Sequence, residues 1–105
     1  MKIKFTKPQL NMLVRARECE TNFTPFKVPS SGKDLYVAER LRDKGLLALG
    51  DSQERGYVYT LTARGRFVAD EQGIGAGGNI TQLNRYTFPQ EALEAVDTLE
   101  REGFL

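Results

Sequence analysis

The 105-residue chain contains no histidine and a single cysteine, Cys19. Without histidine it lacks the commonest general base and the commonest metal ligand of proteins. A catalytic site would have to be built from carboxylates, lysine or tyrosine, and no convincing pairing of these stands out. One cysteine excludes an internal disulfide. We therefore expect no enzyme, no metal and no cofactor.

Long apolar runs are also missing. The longest, residues 46–49, is far shorter than the roughly 20 residues that cross a bilayer. Lys2, Lys4 and Lys7 lie near the start, but no apolar block of signal-peptide length follows them. We expect one small cytoplasmic domain with a modest core and no membrane partner.

Charge is distributed unevenly along the chain. Residues 1–69 contain 13 Lys and Arg against 7 Asp and Glu, a net charge of +6, whereas residues 70–105 contain 2 against 7, a net charge of −5. This asymmetry indicates a face that meets an anion, although clustering of charges on a solvated surface gives the same numbers.

The first part of the chain predicts a short strand followed by a helix. Residues 2–5 alternate lysine with apolar side chains, a period-2 pattern. Thr6 is a good N-cap, with Gln9 three residues later as in a capping box. The helix is expected to end near Glu18. Residues 19–33 contain prolines, serines and Gly32, and predict no helix; Phe23, Phe26 and Val28 are expected to fill the core from a loop or single turn.

A second helix is predicted over residues 34–44, with Ser31 as N-cap. Leu35, Ala38 and Leu41 are spaced to form its buried stripe, and Gly45 is placed to end it. Strands at 46–49 and 57–61 then flank a polar loop at 50–56.

The third predicted helix is capped by Thr62 and ends near residue 72. The glycine-rich residues 73–78 contain a GxGxxG pattern, but a dinucleotide site needs a strand before it and a helix after it. Here a helix precedes and an extended segment follows, so a flexible hinge is the better interpretation. After a strand or ordered loop within residues 80–88, Thr87 is expected to cap a final helix ending near Glu102.

Two segments carry a resemblance to a known family. The run LRDKGLL at 41–47 is similar to the L-x-x-x-G-L-[LIV] segment of winged helix-turn-helix proteins of the MarR and PadR kind, and YTLTARG at 59–65 is similar to their Y-x-L-T-x-x-G segment. The resemblance covers residues 35–65 directly and 6–71 loosely. It implies an α+β winged-helix domain over residues 1–72, with a two- or three-stranded antiparallel wing sheet. Residues 73–105 would add the hinge, the extended segment and a C-terminal helix.

The resemblance implies a DNA-binding transcriptional regulator whose helix 34–44 enters the major groove. Candidate base or groove contacts lie on the outer side of that helix, candidate phosphate donors precede it, and one arginine is in the wing. These predicted DNA-binding residues are Ser30, Ser31, Lys33, Tyr36, Val37, Arg40, Lys44 and Arg55. Further backbone contacts are expected from Lys7, Arg15, Arg17, Arg64 and Arg66.

The C-terminal helix has an apolar stripe formed by Leu93, Val96 and Leu99. The stripe either covers the protein's own core or pairs with a second copy. A homodimer would place two recognition helices about one turn of DNA apart, as palindromic sites require.

A protein-interaction module, such as an adaptor or inhibitor from a phage or mobile element, is the alternative function. A helix-turn-helix needs a second helix packed across the recognition helix, and residues 19–33 do not supply one. The wing loop, with Asp51 and Glu54 against Arg55, is also a poor partner for phosphate. Both features favour a protein partner over DNA.

Overall fold

The computed structural model describes residues 2–53, 56–71 and 87–103. This part of the chain has the predicted α+β class, with four helices and two small antiparallel sheets. Its elements are, in order, β1 (Lys2–Lys4), α1 (Lys7–Thr21), β2 (Phe26–Pro29), α2 (Lys33–Asp43), β3 (Leu47–Gln53), β4 (Gly56–Leu61), α3 (Ala63–Glu71), β5 (Thr87–Pro89) and α4 (Gln90–Arg101). None of these helices is long and apolar enough to cross a bilayer.

The larger sheet contains the predicted hairpin. Its strand order is β2-β4-β3, and β3 pairs with β4 from Leu47 opposite Leu61 to Gln53 opposite Gly56. An irregularity in the register at Gly50 lets β3 continue well beyond residue 49. The predicted polar loop at 50–56 is therefore largely strand. In the smaller sheet β1 pairs with β5, so the first and the last strand of the described chain lie side by side.

Helix α1 begins as predicted. Thr6 accepts a hydrogen bond from the backbone N–H of Gln9, and the Gln9 side chain accepts one from the N–H of Thr6. The helix continues to Thr21, beyond the predicted end, and Phe23 follows with a φ of 57°. Residues 22–32 contain no helix, but residues 19–21, which were expected to lie outside the helix, belong to α1, and the segment contains strand β2.

Strand alternation explains which aromatic residue of that segment is buried. Phe26 and Val28 point into the core from β2, whereas Phe23 is 97% exposed. The prediction that Phe23 fills the core was wrong, because the turn that ends α1 directs its side chain to solvent.

Two predicted caps were also wrong. The N-cap of α2 is Gly32, with a φ of 101° and no side-chain cap, so Ser31 does not cap the helix. Thr87 lies in β5 opposite Lys4, and Pro89 takes the N-cap position of α4. Ser31 therefore precedes the N-cap of its helix by one residue, and Thr87 precedes the N-cap of its helix by two. The predicted hinge at 73–78 lies outside the described residues.

The two segments that resemble the winged-helix pattern meet where α2 ends and α3 begins. Gly45 has a φ of 81° and ends α2. Thr62 caps α3, because its hydroxyl accepts from the N–H of Gly65 at 3.1 Å, and it donates to the carbonyl of Gly45 at 2.7 Å. A Cβ atom on Gly65 would lie 2.1 Å from the carbonyl oxygen of Leu46. In this protein the two segments therefore form a packing junction.

A single core unites the N- and C-terminal parts of the chain. Phe88 of β5 contacts Phe5 edge-on, with ring centroids 5.6 Å apart, and also contacts Phe67 of α3. Leu93 is fully buried in the same core, and Val96 is buried beside it. Leu99 is 42% exposed and is the only member of the predicted dimer stripe left at the surface. The stripe was predicted either to cover the core of its own chain or to pair with a second copy. Leu93 and Val96 cover the core of their own chain.

Candidate nucleic-acid interface

The outer side of α2 presents cations and an aromatic ring in a row. Lys33, Tyr36, Val37 and Arg40 recur at helical spacing, so they share one side of the helix. Lys33 and Arg40 are exposed, Val37 is half-buried, and Tyr36 is 60% exposed. This row contains four of the eight predicted DNA-binding residues.

The row borders a groove between α2 and the first half of α1. Two adjoining hollows of about 1020 and 530 Å³ form it, and both are bordered by Pro8, Asp34 and Val37. We call this the α1–α2 groove. Its apolar floor is formed by Pro8, Met12 and Val37, and its rim carries Lys7, Arg15, Lys33, Tyr36, Arg40 and Lys44. Because α1 and α2 are brought together only by folding, no local pattern in the sequence predicts the floor.

The acids of α2 mostly lie away from this groove. Glu39 and Asp43 do not line it. Burial raises the pKa of Tyr59 in β4, and the charges of Glu39 and Arg42 act on the same hydroxyl, so this side of α2 faces the sheet. Asp34 is the acid that does line the groove, and it lies 3.8 Å from Arg15. The groove is therefore bordered mainly by positive charge.

Arg40 is held in place by Tyr36. Its Nε and one terminal nitrogen donate to the Tyr36 hydroxyl at 3.2 and 3.0 Å, and the guanidinium carbon lies 5.1 Å from the ring centroid. The hydrogen bond to Tyr36 raises the pKa of Arg40 above its already high value, so the side chain stays charged. A guanidinium fixed in this way loses less conformational entropy when it binds a planar acceptor.

Lys44 has a different environment from the one predicted. Its ammonium donates to the carbonyl of Lys4 at 2.9 Å and to Oε1 of Gln9 at 3.2 Å, and it lies 5.0 Å from the ring centroid of Phe5. Burial, with the nearby charge of Arg40, lowers the pKa of Lys44. These contacts fasten β1 and α1 to the end of α2. Lys44 lines the same groove as Arg40, but it is half-buried and its ammonium is already engaged within the chain.

The remaining predicted DNA contacts differ in their exposure and in their ion pairing. Ser30 and Ser31 are exposed in the turn before α2, at the end of the row. Within the described residues Lys7 and Lys33 have no carboxylate within ion-pair distance. Arg55 lies outside the described residues.

Three arginines proposed as extra backbone contacts are occupied elsewhere. Arg17 contacts Glu20 at 2.5 Å and Asp70 at 2.9 Å, and Arg66 contacts Glu20 at 2.8 Å. Arg64 is ion-paired with Asp97 of α4 and also donates to the carbonyl of Lys44. We call this set the α1–α3–α4 ion-pair face. Its positive charge is neutralised within the chain, so the expectation that these arginines contact DNA is withdrawn.

Comparison of the chain with protein-family models, with curated proteins and with solved structures finds no match. In the described residues no three His, Cys, Asp or Glu side chains are grouped so as to hold a metal ion. The chemistry of the α1–α2 groove is therefore the basis for assigning a function.

Proposed function

We propose that the protein is a small DNA-binding transcriptional regulator that presents the exposed row of α2 to the major groove. One observation carries this proposal. Lys33 and Arg40 are exposed cations with no carboxylate within ion-pair distance among the described residues. Glu39 lies on the side that faces the sheet, and Asp43 does not line the groove, although its charge acts on Arg40. Unpaired cations on one face supply the phosphate attraction on which DNA affinity depends.

The dimensions of α2 suit a major groove. An α-helix with its side chains is about 10–12 Å across, and the major groove of B-DNA is about 12 Å wide. Arg40 would read a base edge, for which guanine is the commonest partner of arginine. Lys7 and Arg15 on α1, with Ser30 and Ser31 before α2, would contact the flanking phosphates.

Binding as a homodimer remains part of the proposal. Two copies on half-sites about one helical turn apart would read a two-fold site. Because Leu93 and Val96 are buried in the core of their own chain, the contact between copies on DNA must use other surface.

Fluorescence anisotropy with duplex DNA tests the proposal. About four phosphate contacts predict that affinity falls about a hundredfold between roughly 50 and 200 mM salt. Arg40→Ala is expected to cost about 1–3 kcal/mol of binding free energy and to relax specificity at one base position, and Lys33→Ala to reduce the salt slope by about one.

Arg42→Ala is the matched control, because Arg42 is an exposed arginine on the same helix but lies on the side facing the sheet. Its affinity is expected to equal that of the unmodified protein. Absence of binding at low salt, or equal losses for Arg40→Ala and Arg42→Ala, would refute the assignment of this face.

A protein-interaction module is the second candidate function. The observation that favours it is the replacement of the second helix of a helix-turn-helix by strand β2. The helix that crosses the DNA backbone in such motifs is therefore missing from the described residues between α1 and α2. If duplex binding is absent at low salt, this candidate takes first place.

A further inference from the structure

We infer that the α1–α2 groove also binds the outer face of α4 from a second copy of the protein. The contact between copies follows from the two surfaces alone. Its consequence for DNA, which is that self-association covers the binding face, rests on the proposed function.

The groove has more apolar surface than a phosphate backbone would use. Its floor is formed by Pro8, Met12 and Val37, while its cations are on the rim. An apolar channel between basic walls is the kind of site that takes an amphipathic helix with acidic flanks. Duplex DNA that receives the row of α2 would contact Val37 and the cations of the rim, and would leave Pro8 and Met12 uncovered.

The outer face of α4 has the complementary chemistry. Ala95 and Leu99 are exposed one turn apart, and Leu99 keeps 42% of its surface accessible. Exposed Glu94 precedes this apolar pair along the chain and exposed Glu102 follows it, while exposed Arg101 lies near Glu94. The charges at the two surfaces are also opposite, since Lys33 and Arg40 border the groove while Glu94 and Glu102 are exposed at α4.

The lengths of the two surfaces agree. The groove runs beside the 11 residues of α2, about 16 Å, and α4 has 12 residues, about 18 Å. One α4 helix can therefore lie along the whole groove.

The occupant must come from another molecule. Within its own chain α4 is fixed by burial of Leu93 and by the ion pair between Asp97 and Arg64. Its outer face cannot turn into its own groove without breaking these contacts. If the contact is made twice about a two-fold axis, both grooves of a pair are filled and both Arg40 side chains are covered.

Reciprocal charge reversal tests the contact. A groove variant carries Lys33→Glu and Arg40→Glu, and a helix variant carries Glu94→Lys and Glu102→Lys. All four side chains are exposed, and circular dichroism checks that each variant is folded. Sedimentation velocity then measures association of each variant alone and of their equimolar mixture, at low and high salt.

We expect the unmodified protein to associate at low salt and to dissociate as salt is raised. Each variant alone should associate at least about tenfold more weakly, since like charges then meet, and mixing the two should restore association. Arg42→Glu, on the other side of α2, should associate as the unmodified protein does. The inference is overturned if the mixture associates no more strongly than either variant alone. It is also overturned if the groove variant associates as the unmodified protein does, and that result would indicate contact between two α4 helices.

Anisotropy on the helix variant separates this inference from the proposed function. If the mixture restores association while the helix variant and the unmodified protein bind no duplex DNA, the contact between copies stands and the DNA proposal falls. If the proteins bind DNA and the mixture restores nothing, the inference falls alone. If both hold, the helix variant binds DNA more tightly than the unmodified protein at concentrations where the latter associates.

Discussion

Two faces of this protein carry positively charged side chains. On one face these side chains are exposed, and on the other they are paired with acids of the same chain. On the rim of the α1–α2 groove, Lys33 and Arg40 are exposed and have no carboxylate partner within the described residues. On the α1–α3–α4 ion-pair face, Arg17 and Arg66 are held by acids at 2.5 to 2.9 Å. Of these two faces, the first has positive charge to offer an anion.

The comparison shows why a count of charges along the chain misleads. The net charge of +6 over residues 1–69 includes arginines from both faces. Asp70 lies 53 residues from the Arg17 that it neutralises, and Asp97 lies 33 residues from Arg64. Such pairs connect helices that meet only in the folded protein. Net charge predicts attraction to an anion, but pairing decides which residues provide it.

The largest expected effect comes from the junction that holds both faces in place. In Gly65→Ala the new methyl would lie 2.1 Å from the carbonyl oxygen of Leu46, so α3 must move away from the end of α2. We expect urea denaturation to show a loss of about 3 kcal/mol in the free energy of unfolding. Both the ion pairs and the groove should be disturbed.

The matched control is Gly103→Ala. Gly103 has a φ of 82°, but a methyl group at that position would have no described atom within 4 Å, so the cost is backbone strain of about 1 kcal/mol. Equal losses for the two variants would show that the close contact at Gly65 is unimportant.

An intermediate effect is expected for Lys44, which separates folding from binding. Lys44→Met keeps the apolar stem and removes the ammonium that contacts Lys4 and Gln9. Denaturation should show a loss of about 1 kcal/mol, while duplex affinity should remain within about twofold. A loss of affinity comparable with that of Arg40→Ala would place Lys44 in the DNA-binding set.

The smallest effect is expected on the ion-pair face. Glu20→Gln weakens the contacts to Arg17 and Arg66, but the side chains are partly exposed, so the loss should stay below about 1 kcal/mol. Affinity for duplex DNA should not fall, because Glu20 does not line the α1–α2 groove and the cations of the groove are unchanged.

The stability of this variant should also respond to pH in a defined direction. The hydrogen bond from Arg66, with smaller help from Arg17, lowers the pKa of Glu20 below its ordinary value of 4.5. A carboxylate with a lowered pKa stabilises the fold above its unfolded pKa, and this contribution is lost as pH falls through the folded pKa. The difference between wild type and Glu20→Gln should therefore be constant near neutral pH and disappear in acid. A difference that persists in acid would mean that packing, and not charge, is responsible.

Local signals were sufficient for much of the fold. Thr6 with Gln9 started α1, Gly45 ended α2 and Thr62 started α3, because each of these depends on residues within one helical turn. Residues 19–33 were less well predicted, because residues 19–21 belong to α1 and residues 26–29 form strand β2.

The amino-acid sequence by itself determined the α+β class, the hairpin, most helix boundaries and the row of residues on the outer side of α2. Only the tertiary structure decided that Lys44 is held against Lys4, that Leu93 belongs to the protein's own core, and which arginines are neutralised. Helix ends and strand faces follow from neighbours along the chain. The availability of a charged or apolar side chain depends on distant residues that folding brings beside it.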